Sequence, residues 1–202
     1  HGSHSQFVWE IWEGGSRACT MHHGNLANNQ WLSIYVRYDP GSNALYSNID
    51  GTSYGPTSCS TITDRGVANT YIGESNWAGD SIFRGEIAGV YAFNRYLTND
   101  EAESILYTIH IGSKDTTNNE SAAVIWNPLN EMFDGNSTYN KLGTTDFKIA
   151  ASGFSAVAKV KFASTGNYER IFDFGNGAGN DNILFGRHGS NSQFVWEIWE
   201  GG

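Results

Sequence analysis

Residues 31–51, WLSIYVRYDPGSNALYSNIDG, decide the fold because they contain a complete β-hairpin. Leu32, Ile34 and Val36 lie on one face of the first segment and alternate with larger or polar residues. Alternation with a period of two predicts a strand with one buried face. The sequence Asp39-Pro-Gly41 then supplies a turn, and ALYSNID returns as the second strand. This stretch therefore predicts two neighbouring antiparallel strands.

The rest of the chain has the same texture of short strands joined by many turns. It contains 24 Gly, only 3 Pro and 14% aromatic residues. A second alternating strand, 154–162, follows the same pattern. The clearest helix signal is a capping box, Thr98 to Glu101, at the start of EAESILYTI. We therefore expect an all-β fold: a two-sheet antiparallel jelly-roll sandwich with one short helix.

Two spaced motifs resemble those of the laminin-G-like, concanavalin-A-like lectin–glucanase sandwich domains. Residues 31–51 are similar to that family's W-hydrophobic-x-YD-G-x-LxLYVDG hairpin, although Asn48-Ile-Asp-Gly51 is preceded by a more polar strand. Residues 71–101, YIGESNWAGDSIFRGEIAGVYAFNRYLTNDE, are similar to its closing segment. The resemblance covers 124–202 followed by 1–109. It implies the sandwich fold, which serves lectins, adhesion receptors, enzymes and spacers alike.

The first and last segments of the sequence are near copies of each other. Residues 1–15, HGSHSQFVWEIWEGG, return as residues 188–202 with fourteen of fifteen positions identical, at an offset of 187. Duplication at a fixed offset is typical of a repeat array. We interpret the chain as one period of a tandem repeat. Residues 1–109 are then the C-terminal two-thirds of one laminin-G-like domain, 110–120 the inter-repeat linker, and 121–202 the N-terminal part of the next domain.

Three arrangements of such a chain are open. It is one stretch of a long, covalently continuous repeat protein, a circular permutant that closes on itself, or a subunit whose domain a neighbour completes by strand donation. Self-closure leaves one copy of FVWEIW with an open edge, which counts against it. On either copy of this strand, Trp12 or Trp199 faces away from the neighbouring Trp9 or Trp196. We therefore predict that Trp12 and Trp199 contact an adjacent repeat.

Composition excludes several classes of partner. The formal net charge of −9 argues against nucleic acid and anionic membrane surfaces. The sequence lacks a run of 18 apolar residues, so membrane insertion is not expected. Cys19 and Cys59 are an even pair that either forms a disulfide or stays as two buried thiols. We expect an extracellular or cell-surface location.

The acidic residues of WEIWE fail the geometry of a glycosidase. Glu10 and Glu13, like Glu197 and Glu200, are three positions apart, which places their carboxylates on opposite faces of a strand. We therefore predict no catalytic residues and a protein that is not an enzyme. The adjacent His22 and His23 also point to opposite faces, and we expect them at the surface rather than in a zinc site.

Two loops carry candidate ligand-binding residues. Asn76, Trp77 and Asp80 in ESNWAGDS are suited to stacking on a sugar ring and hydrogen bonding to it. Asn180 and Asp181 in GNGAGNDN, together with Asp80, offer the oxygen ligands that calcium prefers. The alternative to calcium is that Asn and Asp simply make these turns. The alternative for Trp77 is a hydrophobic plug at the end of the sandwich or an inter-domain contact.

The sequence therefore predicts a non-catalytic extracellular structural or adhesive repeat. Its partners would be copies of itself, either adjacent repeats or separate subunits, because repetition serves reach and multivalency. The alternative is a lectin module that binds a cell-surface glycan with or without calcium.

Overall fold

The architecture is that of a β-sandwich. The computed structural model describes residues 8–12, 17–24, 28–110, 122–126, 131–163, 166–187 and 194–199, with side chains for all but 8–12, 17, 122–126 and 194–199. The described residues form these strands and helices: β1 (Val8–Trp12), β2 (Arg17–His23), β3 (Trp31–Asp39), β4 (Ala44–Ile49), β5 (Thr52–Ser58), β6 (Arg65–Val67), β7 (Asn69–Ile72), β8 (Arg84–Phe93), α1 (Asn99–His110), β9 (Ala122–Trp126), β10 (Glu131–Asp134), β11 (Asn140–Lys141), β12 (Thr145–Phe147), α2 (Ile149–Ser152), β13 (Phe154–Phe162), β14 (Arg170–Gly175), β15 (Ile183–Arg187) and β16 (Phe194–Trp199).

Two sheets make up the sandwich. The first sheet has the strand order β1-β2-β16-β15-β14-β7-β11, with a further pairing of β1 to β16. The second sheet has the order β10-β8-β13-β3-β4-β5, and β9 also pairs with β8. A short ladder joins β12 to β6. All of these pairings are antiparallel except that of β1 with β16, which confirms the predicted all-β sandwich.

Aromatic side chains fill the space between the two sheets. Phe172 and Phe174 of β14 stack with their ring centroids 4.7 Å apart, and Phe147 stacks on Phe174 at 5.5 Å. Opposite them, the alternating residues of β3 and β13 face inward, as their period-two pattern predicts. Each ring buries enough apolar surface to contribute a few kcal/mol on the scale of ~25 cal/mol per Å².

Helix α1 covers the outer face of the second sheet. Its buried residues Ala102, Ile105 and Ile109 pack on a second apolar cluster that includes Tyr35 and Tyr91 of the sheet. The predicted capping box is confirmed, because the Glu101 carboxylate accepts from Thr98 N at 2.7 Å while Glu101 N donates to Thr98 Oγ1 at 3.3 Å. One additional turn of helix, α2, escaped prediction because four residues are too few to show a helical period.

Both sheets combine strands from the two parts of the sequence. In the second sheet β13 lies between β3 and β8, with eight Cα partners on β3 from Phe154↔Tyr38 to Lys161↔Trp31. In the first sheet β14 pairs with β7. Residues 8–110 and 122–199 therefore build one sandwich together. Of the linker predicted at 110–120, His110 is the last residue of α1, and 111–120 lie outside the described residues.

A disulfide and a buried histidine stand at the β2 side of the sandwich. Cys19 on β2 is bonded to Cys59, which follows β5, so the bond joins the first sheet to the segment after the edge strand of the second sheet. His23 is 0% exposed, and its ring packs edge-on against Tyr54 with centroids 4.6 Å apart. The surface position expected for His23 is therefore wrong. Alternation along β2 places His22 and His23 on opposite faces, but it does not say that the face of His23 is the core.

Burial of His23 predicts a loss of stability in mild acid. Burial, aided by the nearby His22, lowers the pKa of His23 to about 3 from 6.5. Between those two values only the unfolded chain binds the proton, so the free energy of unfolding falls by about 1.4 kcal/mol per pH unit as the pH drops below 6.5. Urea unfolding at pH 7.5 and about pH 5 should give a difference of about 2 kcal/mol from this residue.

The matched comparison is His23→Gln against His22→Gln. Asp173 acts in the opposite sense, because burial raises its pKa to about 6 and folding then favours its protonated form between pH 6 and 3.8. Subtracting the variant's free energy of unfolding from that of the wild type at each pH isolates the contribution of His23. His23→Gln should lose this pH dependence and His22→Gln should keep it. If the free energy of unfolding changes equally with pH in the two variants, His23 does not titrate in this way.

Candidate functional site

The candidate site lies on the outer face of the first sheet, around Asp173 of β14. Phe172 and Phe174 point into the core, so Asp173 between them projects outward. It is nevertheless 0% exposed, because Ser75 and Asn76 of the loop after β7 lie against it. Asp173 Oδ2 accepts from Asn76 N at 2.8 Å, and Asp173 Oδ1 accepts from Asn182 Nδ2 at 2.9 Å. The sheet and two loops therefore meet at one carboxylate.

Gly175 allows this close approach. It has an ordinary backbone conformation, but a Cβ at this position would clash with the amide of Asn182 and crowd that of Asn76. The absence of a side chain lets both amides lie directly over the strand. The glycine thus fixes how near the loop comes to the sheet.

A buried ion pair fixes the far end of the same loop. Asp80 Oδ2 lies 3.2 Å from Arg170 Nη2 and accepts from Ser75 Oγ at 2.6 Å. The two side chains are 10% and 4% exposed. Burial raises the pKa of Asp80, while Arg170 and Ser75 act against that rise. Because its carboxylate is bound inside the protein, Asp80 positions the loop and is poorly placed to present an oxygen to a ligand.

Trp77 sits on the solvent side of this network, while the side-chain nitrogen of Asn76 is buried. The Trp77 ring is half-buried, and the Arg170 guanidinium lies 5.9 Å from its centroid and 5.3 Å from that of Tyr168. Asn76 Oδ1 accepts from Asn69 Nδ2 at 3.0 Å. The three predicted ligand residues, Asn76, Trp77 and Asp80, are therefore brought into one loop platform, with Asp80 underneath.

The platform continues along the outer face toward the edge strand β11. Tyr71 pairs with Asp173 across the ladder and so faces outward. Its ring meets that of Tyr139 edge-on at 6.0 Å, and Lys141 Nζ lies 5.3 Å from the Tyr71 ring. Tyr139 is 43% exposed. We call the surface formed by Trp77, Asn76, Tyr71, Tyr139 and Lys141 the outer-face patch.

Sequence reasoning missed Asp173, Tyr71, Tyr139 and Lys141. Asp173 had a readable signal, since an acidic residue between two inward-facing Phe in RIFDFG must point to the opposite face. The other three come from β7 and from the segment around β11, which are far apart in the sequence and meet only through strand pairing.

Of the predicted calcium residues, Asp80 and Asp181 have carboxylates bound to protein partners, and Asn180 is held through its backbone. Asp181 Oδ2 accepts from Asn176 Nδ2 at 3.0 Å, and Asn180 N donates to Asn182 Oδ1 at 2.8 Å, within the β14–β15 hairpin loop. In the part of the chain that the structure describes, there is no group of three or more His, Cys, Asp or Glu arranged to hold a metal ion. A calcium site built from Asn180, Asp181 and Asp80 stays a prediction.

The predicted inter-repeat contacts, Trp12 and Trp199, lie on described strands, but their side chains fall outside the described part. Glu10 and Glu197 have the same status, and Glu13 and Glu200 fall outside the described residues altogether. The site therefore rests on the loop and strand residues around Asp173.

Comparison with known proteins agrees with this architecture. A family model described as the concanavalin A-like lectin/glucanases superfamily, of laminin G type, matches residues 1–103, about half of the chain. The chain belongs to this superfamily. No curated protein and no solved structure matches it.

Membership of the concanavalin A-like superfamily indicates an extracellular binding or structural module. Laminin G-like domains are generally non-catalytic, although the superfamily includes glycosidases. They are typically extracellular, and the Cys19–Cys59 disulfide agrees with an oxidising compartment. Among the described residues, no helix has the length and apolar character needed to cross a membrane.

Proposed function

We propose that the protein is a non-catalytic structural or adhesive repeat that works through copies of itself, in a tandem array or filament. The observation that carries this proposal is the way the sandwich is divided. Residues 8–110 and 122–199 each supply strands to both sheets, and each half carries one copy of the VWEIW strand. The halves are therefore complementary parts of one fold.

Complementary halves favour association between copies. A half that packs on its partner within one chain makes the same contacts when the partner belongs to another chain, so exchange requires no new interface. Repeated modules then gain binding strength through multivalency. This supports a role in which the module links to its neighbours.

Light scattering coupled to size-exclusion chromatography tests the proposal. We expect species whose masses are multiples of 22.2 kDa and whose proportion rises with concentration. A single mass of 22.2 kDa at every concentration would contradict self-assembly. An intact mass of the protein from its source separates the two forms: many multiples of the 187-residue period indicate a covalent array, and one period indicates separate subunits.

Glycan binding is the second candidate function, and the outer-face patch favours it. Aromatic rings of Trp77, Tyr71 and Tyr139 lie on one face of the sheet together with the exposed ammonium group of Lys141, which also donates to Asn69 Oδ1 at 2.7 Å. Sugar rings stack on aromatic faces while their hydroxyls bond to amides and charged groups. The patch offers both kinds of contact.

Trp77→Ala is the test of the lectin hypothesis. We expect any glycan found on an array to lose about tenfold in affinity, the equivalent of about 1.4 kcal/mol of lost stacking. Tyr107→Ala is the control, because Tyr107 is a 65% exposed ring on α1, on the second sheet. Equal binding by both variants would remove Trp77 from the site.

Repeating the array with a chelator, and with Asp181→Asn, tests the calcium prediction.

A further inference from the structure

Two segments of identical sequence compete for one strand position in the first sheet. β16 is antiparallel to β15 over five Cα pairs, from Ile183↔Ile198 to Arg187↔Phe194. On its other side, Trp199 of β16 pairs with Arg17 of β2. Trp12 of β1 pairs with the same Arg17. Both segments therefore approach the position between β15 and β2.

β1 and β16 are interchangeable at the level of the backbone. They run parallel with every residue of β1 beside its own counterpart, from Val8↔Val195 to Trp12↔Trp199. Because direction and sequence are the same, β1 can present to β15 and β2 the same ladder of N–H and C=O groups as β16. Each copy is also next in sequence to one of the two strands that flank the position, since β1 precedes β2 and β16 follows β15.

We propose that the position between β15 and β2 is a docking site for an FVWEIW strand, which accepts either copy and takes the corresponding strand of a second copy of this chain. This site is the physical basis of the self-assembly proposed above and rests on that proposal. A copy displaced from the position becomes an edge strand of the sheet. Such an edge adds to another sheet by main-chain hydrogen bonding.

A matched pair of proline variants tests whether the copies are interchangeable. Ile11 and Ile198 are counterparts, and proline in a central strand removes a ladder hydrogen bond. Ile11→Pro and Ile198→Pro should each keep cooperative unfolding, because the other copy fills the position, and the double variant should lose it. If Ile198→Pro unfolds as fully as the double variant, or if the double variant unfolds like the wild type, the proposal fails.

The double variant also serves to test docking from outside the chain. The probe is a fluorescein-labelled peptide SQFVWEIWEGG, the sequence of residues 5–15 and of 192–202. We expect saturable binding by fluorescence anisotropy together with recovery of the cooperative transition. The peptide SQFVWEPWEGG is the control and should do neither. Absence of binding by the first peptide, or equal binding by both, overturns the docking site.

Cross-linking between two chains tests the second-copy partner. Leu184 is the Cα partner of Glu197 in the ladder, and the counterpart of Glu197 in β1 is Glu10. A chain with Leu184→Cys mixed with a chain with Glu10→Cys should give a disulfide-linked dimer on oxidation. Ile11→Cys, one residue out of register with Leu184, should not link. Assemblies without the Leu184–Glu10 link would overturn the docking site and leave self-association standing. Peptide rescue without any assembly would leave the site standing and remove the proposed function.

Discussion

Replacing Glu169 by Gln is expected to lower the free energy of unfolding by about 3–5 kcal/mol, the cost of leaving a buried charge without its partner. Glu169 Oε2 lies 3.2 Å from Arg187 Nε, and the two side chains are 1% and 0% exposed. Burial lowers the pKa of Arg187, and the Glu169 charge opposes that shift. Without this charge the guanidinium keeps its hydrogen bond to Asn28 Oδ1 and its place over the Phe162 ring, but has lost the carboxylate that balances its charge.

Urea unfolding of three variants checks this expectation. Adding Arg187→Met to Glu169→Gln should recover part of the loss, because the double variant buries no lone charge. Arg95→Met is the exposed control: Arg95 and Glu101 are 38% and 41% exposed, and the loss there should stay below about 1 kcal/mol. A Glu169→Gln variant no less stable than Arg95→Met would show that the buried pair contributes little.

Removing the disulfide through Cys19→Ala with Cys59→Ala is expected to cost about 4 kcal/mol. The bond closes a loop with a sequence separation of 40, and in the chain-entropy description a loop of this length restricts the unfolded chain by that amount. The loop spans β2 to the end of β5, so loss of the bond also removes the covalent link between the two sheets.

Chemical denaturation with and without a reductant measures this effect. The reduced wild type and the double alanine variant should unfold at nearly the same denaturant concentration, and both well below the oxidised wild type. If reduction leaves the wild-type midpoint unchanged, the bond does not stabilise the fold. Such a result would also weaken the argument for an oxidising compartment.

Much of the fold could be predicted from local patterns. The 31–51 hairpin appears as β3 and β4, paired from Ile34↔Ile49 to Asp39↔Ala44. The Thr98–Glu101 capping box opens α1 as expected. Both signals depend on residues close together in the sequence, where strand alternation and helix capping act directly.

The candidate site could be predicted only in part. The loop residues Asn76, Trp77 and Asp80 were identified because a Trp in a polar loop is conspicuous. That Asp80 is bound to Arg170 beneath the loop could not be read from the sequence, since the partners are ninety residues apart. Strand alternation likewise gave the two faces of β2 without saying which one holds His23 in the core.

The sequence by itself determined the strand pattern, the turns, the superfamily and the duplication of FVWEIW. These are properties of residue order and spacing, so no contact between distant residues is needed to read them. Only the tertiary structure decided that 8–110 and 122–199 share both sheets, that Asp173 holds the loop after β7, and that β1 and β16 both pair with Arg17. Those features depend on long-range strand pairing and burial, which local periodicity does not specify.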